Sequence, residues 1–318
     1  MGSKYTRKDF LNRLAASFVG TAMVDSFYRP LFTQTTGVAR MLKRRIPKTG
    51  EEIPAIGLGT WQTLDVDPDP SSLAPLKEVL SEFLNTGGGI VDSSPMYGRS
   101  EEIFGILSKD IPEKEKRKFF LATKVWTRGE AAGKAQIEAS FRKMKADKID
   151  LFQIHNLLDT QTHLKTLRDL KDRAKIRYIG LTHFTSSAFP EMEKISIKEK
   201  PDFLQIPYSV ITREAEQRIL PFALENGIAV LVNRPFEEGG LFRKAKGKTL
   251  PDYFKEWDCN SFAQAFLKYL LSHPGVTAVI PATSKVSHLK DNMQAGLGRF
   301  PDAKERKVFL SNLLEALD

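Results

Sequence analysis

Residues 149–181 read IDLFQIHNLLDTQTHLKTLRDLKDRAKIRYIGL. The opening run, 149–154, places apolar residues on both faces, as a strand does when its sheet is covered on both sides. Residues 162–174 carry the longer period of a helix. A second run rich in β-branched residues follows at 176–181. Strand, helix and strand in so short a span make a βαβ unit, whose two strands lie parallel.

The same rhythm extends in both directions. Strands are expected at 53–61, 90–92, 118–125, 203–206, 228–232 and 276–280, besides the two already read. Helices are expected at 100–108, 131–145, 187–195, 213–225, 261–272 and 286–295. Eight such units point to a closed (β/α)8 TIM barrel of class α/β, a single domain over residues 40–318. An open doubly wound sheet would want a glycine-rich phosphate turn after an early strand, and the chain contains neither GxGxxG nor GxxxxGK[ST]. Residues 233–260 read as one large loop, and long loops at a barrel mouth commonly act as lids.

The bulk composition agrees with a soluble globular domain: 41% hydrophobic and 27% charged over 318 residues. Cys259 is the single cysteine, so no disulfide forms within the chain. No metal site is expected. The net charge of +9 suggests an anionic partner until it is located. Residues 1–50 hold ten basic residues and two acidic ones, which leaves the remainder almost neutral. A charge surplus confined to one terminus, without interleaved aromatics, argues against nucleic-acid binding.

Residues 1–39 read as a leader. A basic start is followed by a short apolar run, 14–24, too short to span a bilayer as a helix and of the length of a signal-peptide core. The stretch Thr6-Arg7-Lys8-Asp9-Phe10-Leu11 is similar to a twin-arginine export motif with Lys8 in place of the second arginine. The expectation is export by the twin-arginine machinery to the periplasm, with no stable membrane span. The alternative is an N-terminal extension on a cytoplasmic protein.

Three successive strand ends carry charged or titratable residues. Asp92 closes the run 90–92 and leads into Ser93-Ser94-Pro95-Met96-Tyr97-Gly98; Lys124 lies near the end of 118–125; His155 follows 149–154. The carboxyl ends of parallel barrel strands open on one face, where active sites lie. Taken singly, each residue has an ordinary explanation: a turn cap, a solvated lysine, a satisfied core histidine. Their coincidence suggests catalysis. A lysine cation beside the Tyr97 phenol is expected to lower its pKa, with Asp92 holding the lysine charged. Tyr97 would protonate a carbonyl oxygen, and His155 would donate to the same oxygen and orient it.

With these residues in view, the chain resembles the aldo-keto reductases over 53–292. The matching stretches are IGLGTW (56–61), VDSSPMYGRSEE (91–102), LATKVW (121–126), IDLFQIH (149–155), IGL (179–181), LQIPYS (204–209) and VIPATSKVSHLKDN (279–292). The resemblance is to bacterial-type members with twin-arginine leaders and an NRPF-x-x-GG-LF pattern, here at 233–242. It implies a tetrad of Asp92, Tyr97, Lys124 and His155, and NADPH, or NADH, across the barrel mouth. It implies Thr182, His183 and Gln205 at the nicotinamide carboxamide, with His183 where the family usually has Asn. Asn233 stands where a stacking Tyr is usual, and Arg234 is a candidate for the pyrophosphate. Thr283, Ser284, Lys285 and His288 are expected around the adenosine phosphate, near a helix start that favours anions, and Asn292 at the adenine. Trp61 and Trp126 match positions that line the substrate pocket.

The function these readings imply is reduction of a small aldehyde or ketone. Two alternatives remain open. A cofactor-binding regulator would keep the fold and turn over little. An unrelated barrel lyase or isomerase using Lys124 as a Schiff-base amine is disfavoured, because Asp92 beside it keeps the amine protonated.

Overall fold

The computed structural model describes residues 40–318. The leader expected over 1–39 lies outside the described residues. Ten strands follow in order: β1 (Lys43–Arg45), β2 (Glu52–Pro54), β3 (Leu58–Gly59), β4 (Ile90–Asp92), β5 (Phe120–Val125), β6 (Ile149–His155), β7 (Ile176–Thr182), β8 (Phe203–Pro207), β9 (Ala229–Asn233) and β10 (Ala278–Val279). Strands β3 to β10 form one eight-stranded sheet in sequence order. Every pairing in it is parallel. Parallel bridges Ile56↔Val279 and Gly59↔Ala282 join its two edges. Gly57 N donates to Val279 O at 2.8 Å and Gly59 N to Pro281 O at 3.0 Å across this seam. The sheet is thereby closed, giving the (β/α)8 barrel. Gly59 permits the closure, because a Cβ there would stand 2.8 Å from the Ile280 carbonyl oxygen.

Helices outside the sheet include Pro70–Asn85, Ser100–Leu107, Glu130–Met144, Thr160–Asp172, Phe189–Glu199, Ile219–Glu225, Phe262–Leu271, Val286–Gln294 and Glu305–Glu315. Their local chemistry explains them. Thr160–Asp172 buries Leu164 and Leu167 on one face, as its period requires. Pro70–Asn85 begins with a proline in its first turn, and the Asp69 side chain accepts from the backbone of Ser71 and Ser72. Ser261 caps Phe262–Leu271 by accepting from Gln264 N at 3.1 Å.

Apolar packing forms two bodies. The larger lies between sheet and helices. The smaller fills the barrel with Ile90, Phe120, Leu151, Tyr178, Phe203 and their neighbours, joined by Ile46 and Ile53. Strands β1 and β2 pair antiparallel. Their hairpin presses Ile46 and Ile53 onto the first residues of β4, β5, β8 and β9, so it plugs the amino end of the barrel. The carboxyl end is left as the open face.

Three expectations change. The run 53–61 is not one strand: its start pairs in the hairpin as β2 and its end in the barrel as β3, because the chain must turn from the plug into the wall. The segment 233–260 is not a plain loop. It holds a short helix, Gly240–Lys244, and a 3-10 turn, Asp252–Trp257, that buries Phe254 and Trp257. Helices Pro70–Asn85 and Glu305–Glu315 lie where none was expected. Among the described residues no helix is long and apolar enough to cross a membrane.

Candidate active site

The open face collects the strand ends. The register pairs Gly59 with Asp92, Lys124 with Gln153, His155 with Thr182 and Thr182 with Gln205. Side chains alternate along a strand, so Gln153 and His155 share the side of β6 that faces into the barrel.

Lys124 is fully buried and Asp92 nearly so. Lys124 Nζ donates to Asp92 Oδ2 at 2.6 Å and to Ser93 O at 2.8 Å. Asp92 Oδ1 accepts from Gln153 Nε2 at 3.0 Å and from Gln205 Nε2 at 2.8 Å. The pair is therefore not only compensated in charge but also saturated with hydrogen bonds, which is the condition for a buried ion pair to persist. Tyr97 follows on the turn after β4, where Tyr97 N donates to Ser94 O at 3.0 Å. The Lys124 ammonium stands 4.9 Å from the Tyr97 ring centroid. The Tyr97 and His155 rings meet edge to face, with centroids 5.9 Å apart. The four expected residues thus converge.

Their protonation follows from the surroundings. Burial alone would strip the proton from Lys124, but Asp92 and Tyr97 outweigh it and raise the pKa, so the cation is kept. Tyr97 is raised above its usual value, first by burial and then by Asp92, with Lys124 pulling the other way. This corrects the expected lowering: desolvation of the phenolate exceeds the attraction of the lysine. Burial, with the nearby Lys124 charge, lowers His155 to about 2, so its ring is neutral.

On the other side of the mouth, Thr182 Oγ1 donates to Gln205 Oε1 at 3.1 Å, and both residues are buried. His183 Nδ1 accepts from Thr185 N at 3.1 Å while its ring stacks on Phe184. Burial lowers its pKa, so it too is neutral. Asn233 Nδ2 donates to His183 O at 3.2 Å, and its Oδ1 is buried without a partner. Arg234 is engaged by Glu238 at 3.4 Å. Thr283 Oγ1 accepts from Lys285 N at 3.2 Å just before Val286–Gln294. Ser284, Lys285 and His288 are exposed there, and Asn292 is buried.

The sequence model of the Aldo/keto reductase family matches residues 55–307. The chain belongs to that family. Aldo-keto reductase YhdN of Bacillus subtilis (strain 168) is 31% identical over 228 residues, covering 67% of this chain and 66% of YhdN, just under two thirds of its length. Methylglyoxal reductase YeaE of Escherichia coli (strain K12) is 25% identical over 260 residues, 79% of this chain and 89% of YeaE. An aldo/keto reductase from Klebsiella pneumoniae, solved with NADP and acetate, superposes with a TM-score of 0.69 at 22% identity, covering 84% of this chain and 94% of that one. At that identity the likeness speaks for the fold.

Within this aldo-keto reductase, Trp126 and Trp61 are not core residues. They are 40% and 38% exposed, and the Trp126 ring lies 6.4 Å from that of His155. Trp61 stands at the rim after β3. The structure also brings to this face residues that the sequence did not single out. Gln153 braces Asp92, and its signal was an amide inside an apolar run two positions before His155. Ser94 lies 3.0 Å from His155 Nδ1. Glu101 is buried behind β5, accepts from Thr123 Oγ1 at 2.6 Å, and is raised in pKa by burial.

Proposed function

We propose that this reductase converts aldehyde or ketone carbonyls to alcohols with NADPH, Tyr97 acting as general acid. The observation that carries the reading is the saturated Asp92–Lys124 pair beneath a protonated Tyr97 and a neutral His155. A damaged version of this arrangement would favour the regulator alternative, and here it is intact.

The residues present fit a nicotinamide cofactor. Asn233 Oδ1 is a buried acceptor in want of a donor beside His183, and Thr182 and Gln205 pair at the ends of β7 and β8, a polar set that suits a carboxamide. Ser284 and Lys285 are exposed at the start of Val286–Gln294, where backbone N–H groups and a cation suit a phosphate. Lys285 is the reason to prefer NADPH over NADH.

Carbonyl reduction adds a hydride to carbon and a proton to oxygen. The hydride is what the bound cofactor supplies. Tyr97 gives the proton from its hydroxyl, and the Lys124 charge steadies the phenolate left behind until solvent reprotonates it. Asp92 keeps Lys124 charged, and Gln153 and Gln205 keep Asp92 in place. His155 donates to the same oxygen and selects the face that is reduced. Trp126 offers an apolar wall beside it.

The test is fluorescence titration with NADPH and NADH, then absorbance at 340 nm with aldehydes and diketones, on wild type and Tyr97→Phe. Tight NADPH binding is expected, with turnover falling on the order of 10²–10⁴-fold in Tyr97→Phe. Equal turnover in the variant would remove Tyr97 from the chemistry.

We propose further that residues 1–39 direct the folded, cofactor-loaded protein through the twin-arginine machinery to the periplasm. The support is the basic Arg7-Lys8 start and short apolar run. Fractionation of cells expressing the whole chain, with and without Arg7→Ala and Lys8→Ala together, is expected to move the protein from periplasm to cytoplasm. Cytoplasmic wild type would end the proposal.

A further inference from the structure

Ser94 is completely buried on the turn between Asp92 and Tyr97. Its Oγ has two neighbours of interest. It accepts from Met96 N at 3.3 Å, and it lies 3.0 Å from His155 Nδ1. Among the described residues, His155 Nδ1 is the one acceptor within reach of the Ser94 hydroxyl hydrogen.

A neutral imidazole carries one proton, on Nδ1 or on Nε2. If Nδ1 carried it, Ser94 Oγ would accept twice, from Met96 N and from the ring, and its own hydrogen would point at nothing in a sealed site. A buried donor without a partner loses its full solvation. If Nε2 carries it, Ser94 Oγ–H donates to the Nδ1 lone pair, Oγ accepts from Met96 N, and every buried group is satisfied. Nε2 has no protein partner and is not among the sealed unpartnered atoms, so it opens on the mouth.

We propose that Ser94 is a positioning residue that holds His155 in its Nε2–H tautomer by donating Oγ–H to Nδ1, so that the ring faces the substrate as a hydrogen-bond donor only. The division of labour follows. With both ring nitrogens committed, His155 cannot take a proton from Tyr97 or from the product alcohol, and Tyr97 is left as the sole proton source. The burial and Lys124 charge that keep His155 neutral act in the same direction, since an imidazolium would turn the Ser94 hydrogen bond around. For its catalytic consequence this inference rests on the carbonyl-reductase reading; the tautomer itself does not.

Two-bond 1H–15N correlation spectra of 15N-histidine-labelled protein read both ring nitrogens directly, with His155 assigned by His155→Gln. Wild type is expected to show a protonated Nε2 and an unprotonated, hydrogen-bonded Nδ1. In Ser94→Ala the Nδ1 resonance is expected to move to the value of a free acceptor and an Nδ1–H population to appear. Carbonyl turnover should fall about tenfold, as one hydrogen bond's worth, with NADPH affinity unchanged. A protonated Nδ1 in the wild-type spectrum overturns the proposal even if the variant does not fold. So do ring shifts that are the same in Ser94→Ala as in wild type. Failure of NADPH to bind would instead strike the reductase reading and leave the tautomer result standing.

Discussion

A lysine with no contact to water keeps its charge here because its carboxylate partner is braced from three directions. Lys124, Gln153 and Gln205 all donate to Asp92, and removing any one leaves a buried acceptor short of a donor. The same burial sets the pH behaviour. Tyr97 is raised above its ordinary value, so its proton is present throughout the neutral range and is lost only as pH climbs through that raised value. Reduction is therefore expected to hold through neutrality and decline in strong alkali. His155, at about 2, stays neutral down to acid pH. A pH profile of kcat is the check, and an acid limb near about 6.5, the pKa of an ordinary histidine, would show that His155 does titrate in the working range. Of the four candidate residues, Asp92, Lys124 and His155 were legible in the sequence because each interrupts or ends an apolar run at a strand's carboxyl end, and Tyr97 because it follows on the loop after Asp92. Ser94 and Gln153 were not, since a serine in a turn and a glutamine in a strand acquire a role only from what they face. Asn233 was read as the place of a lost stacking ring, whereas its amide ties the β9 end to His183.

At the scale of elements, the turn after β6 is held in an unusual shape. Asn156, Leu157 and Asp159 all have positive φ, a conformation that costs non-glycine residues energy and gathers at functional sites. Leu158 N donates to His155 O at 3.1 Å, and Asp159 Oδ2 accepts from Gly129 N at 2.7 Å. The turn is thereby pinned to the loop after β5, and His155 with it. Behind the same strands, helix Ser100–Leu107 packs on Glu130–Met144 at Gly105, where an added Cβ would land on the Lys143 carbonyl oxygen. Gly105→Ala is expected to force the helices apart and destabilise the protein by about 1–3 kcal/mol, read as a lowered Tm with turnover retained in the cold. An unchanged Tm would mean that the two helices yield freely. Strand positions were readable from their apolar runs. The split of 53–61 between β2 and β3 was not, because both halves are apolar and only their different partners separate them.

For the molecule as a whole, closure depends on the first and last barrel strands meeting. That contact joins residues 55–59 to 279–282, and each of the two strands is only two residues long. The hairpin that plugs the opposite end makes the interior a packed core and directs access to the mouth. Farther out, Arg306 of the last helix reaches Tyr208 at the end of β8 and Glu216 beyond it, each at 3.0 Å, so the C-terminal helix is fastened to the barrel wall. What the sequence determined alone was the alternation of strand and helix, the number of units, and the ring of polar residues at the strand ends. These are carried by local periodicity and side-chain type, which do not wait for distant partners. Tertiary structure decided how the barrel closes, that burial raises Tyr97 against the pull of Lys124, and which hydrogen bonds give Asp92, His155 and Asn233 their states. Those depend on desolvation and on groups as far apart as Asp92 and Gln205, 113 residues along the chain, which only folding brings within reach of a hydrogen bond.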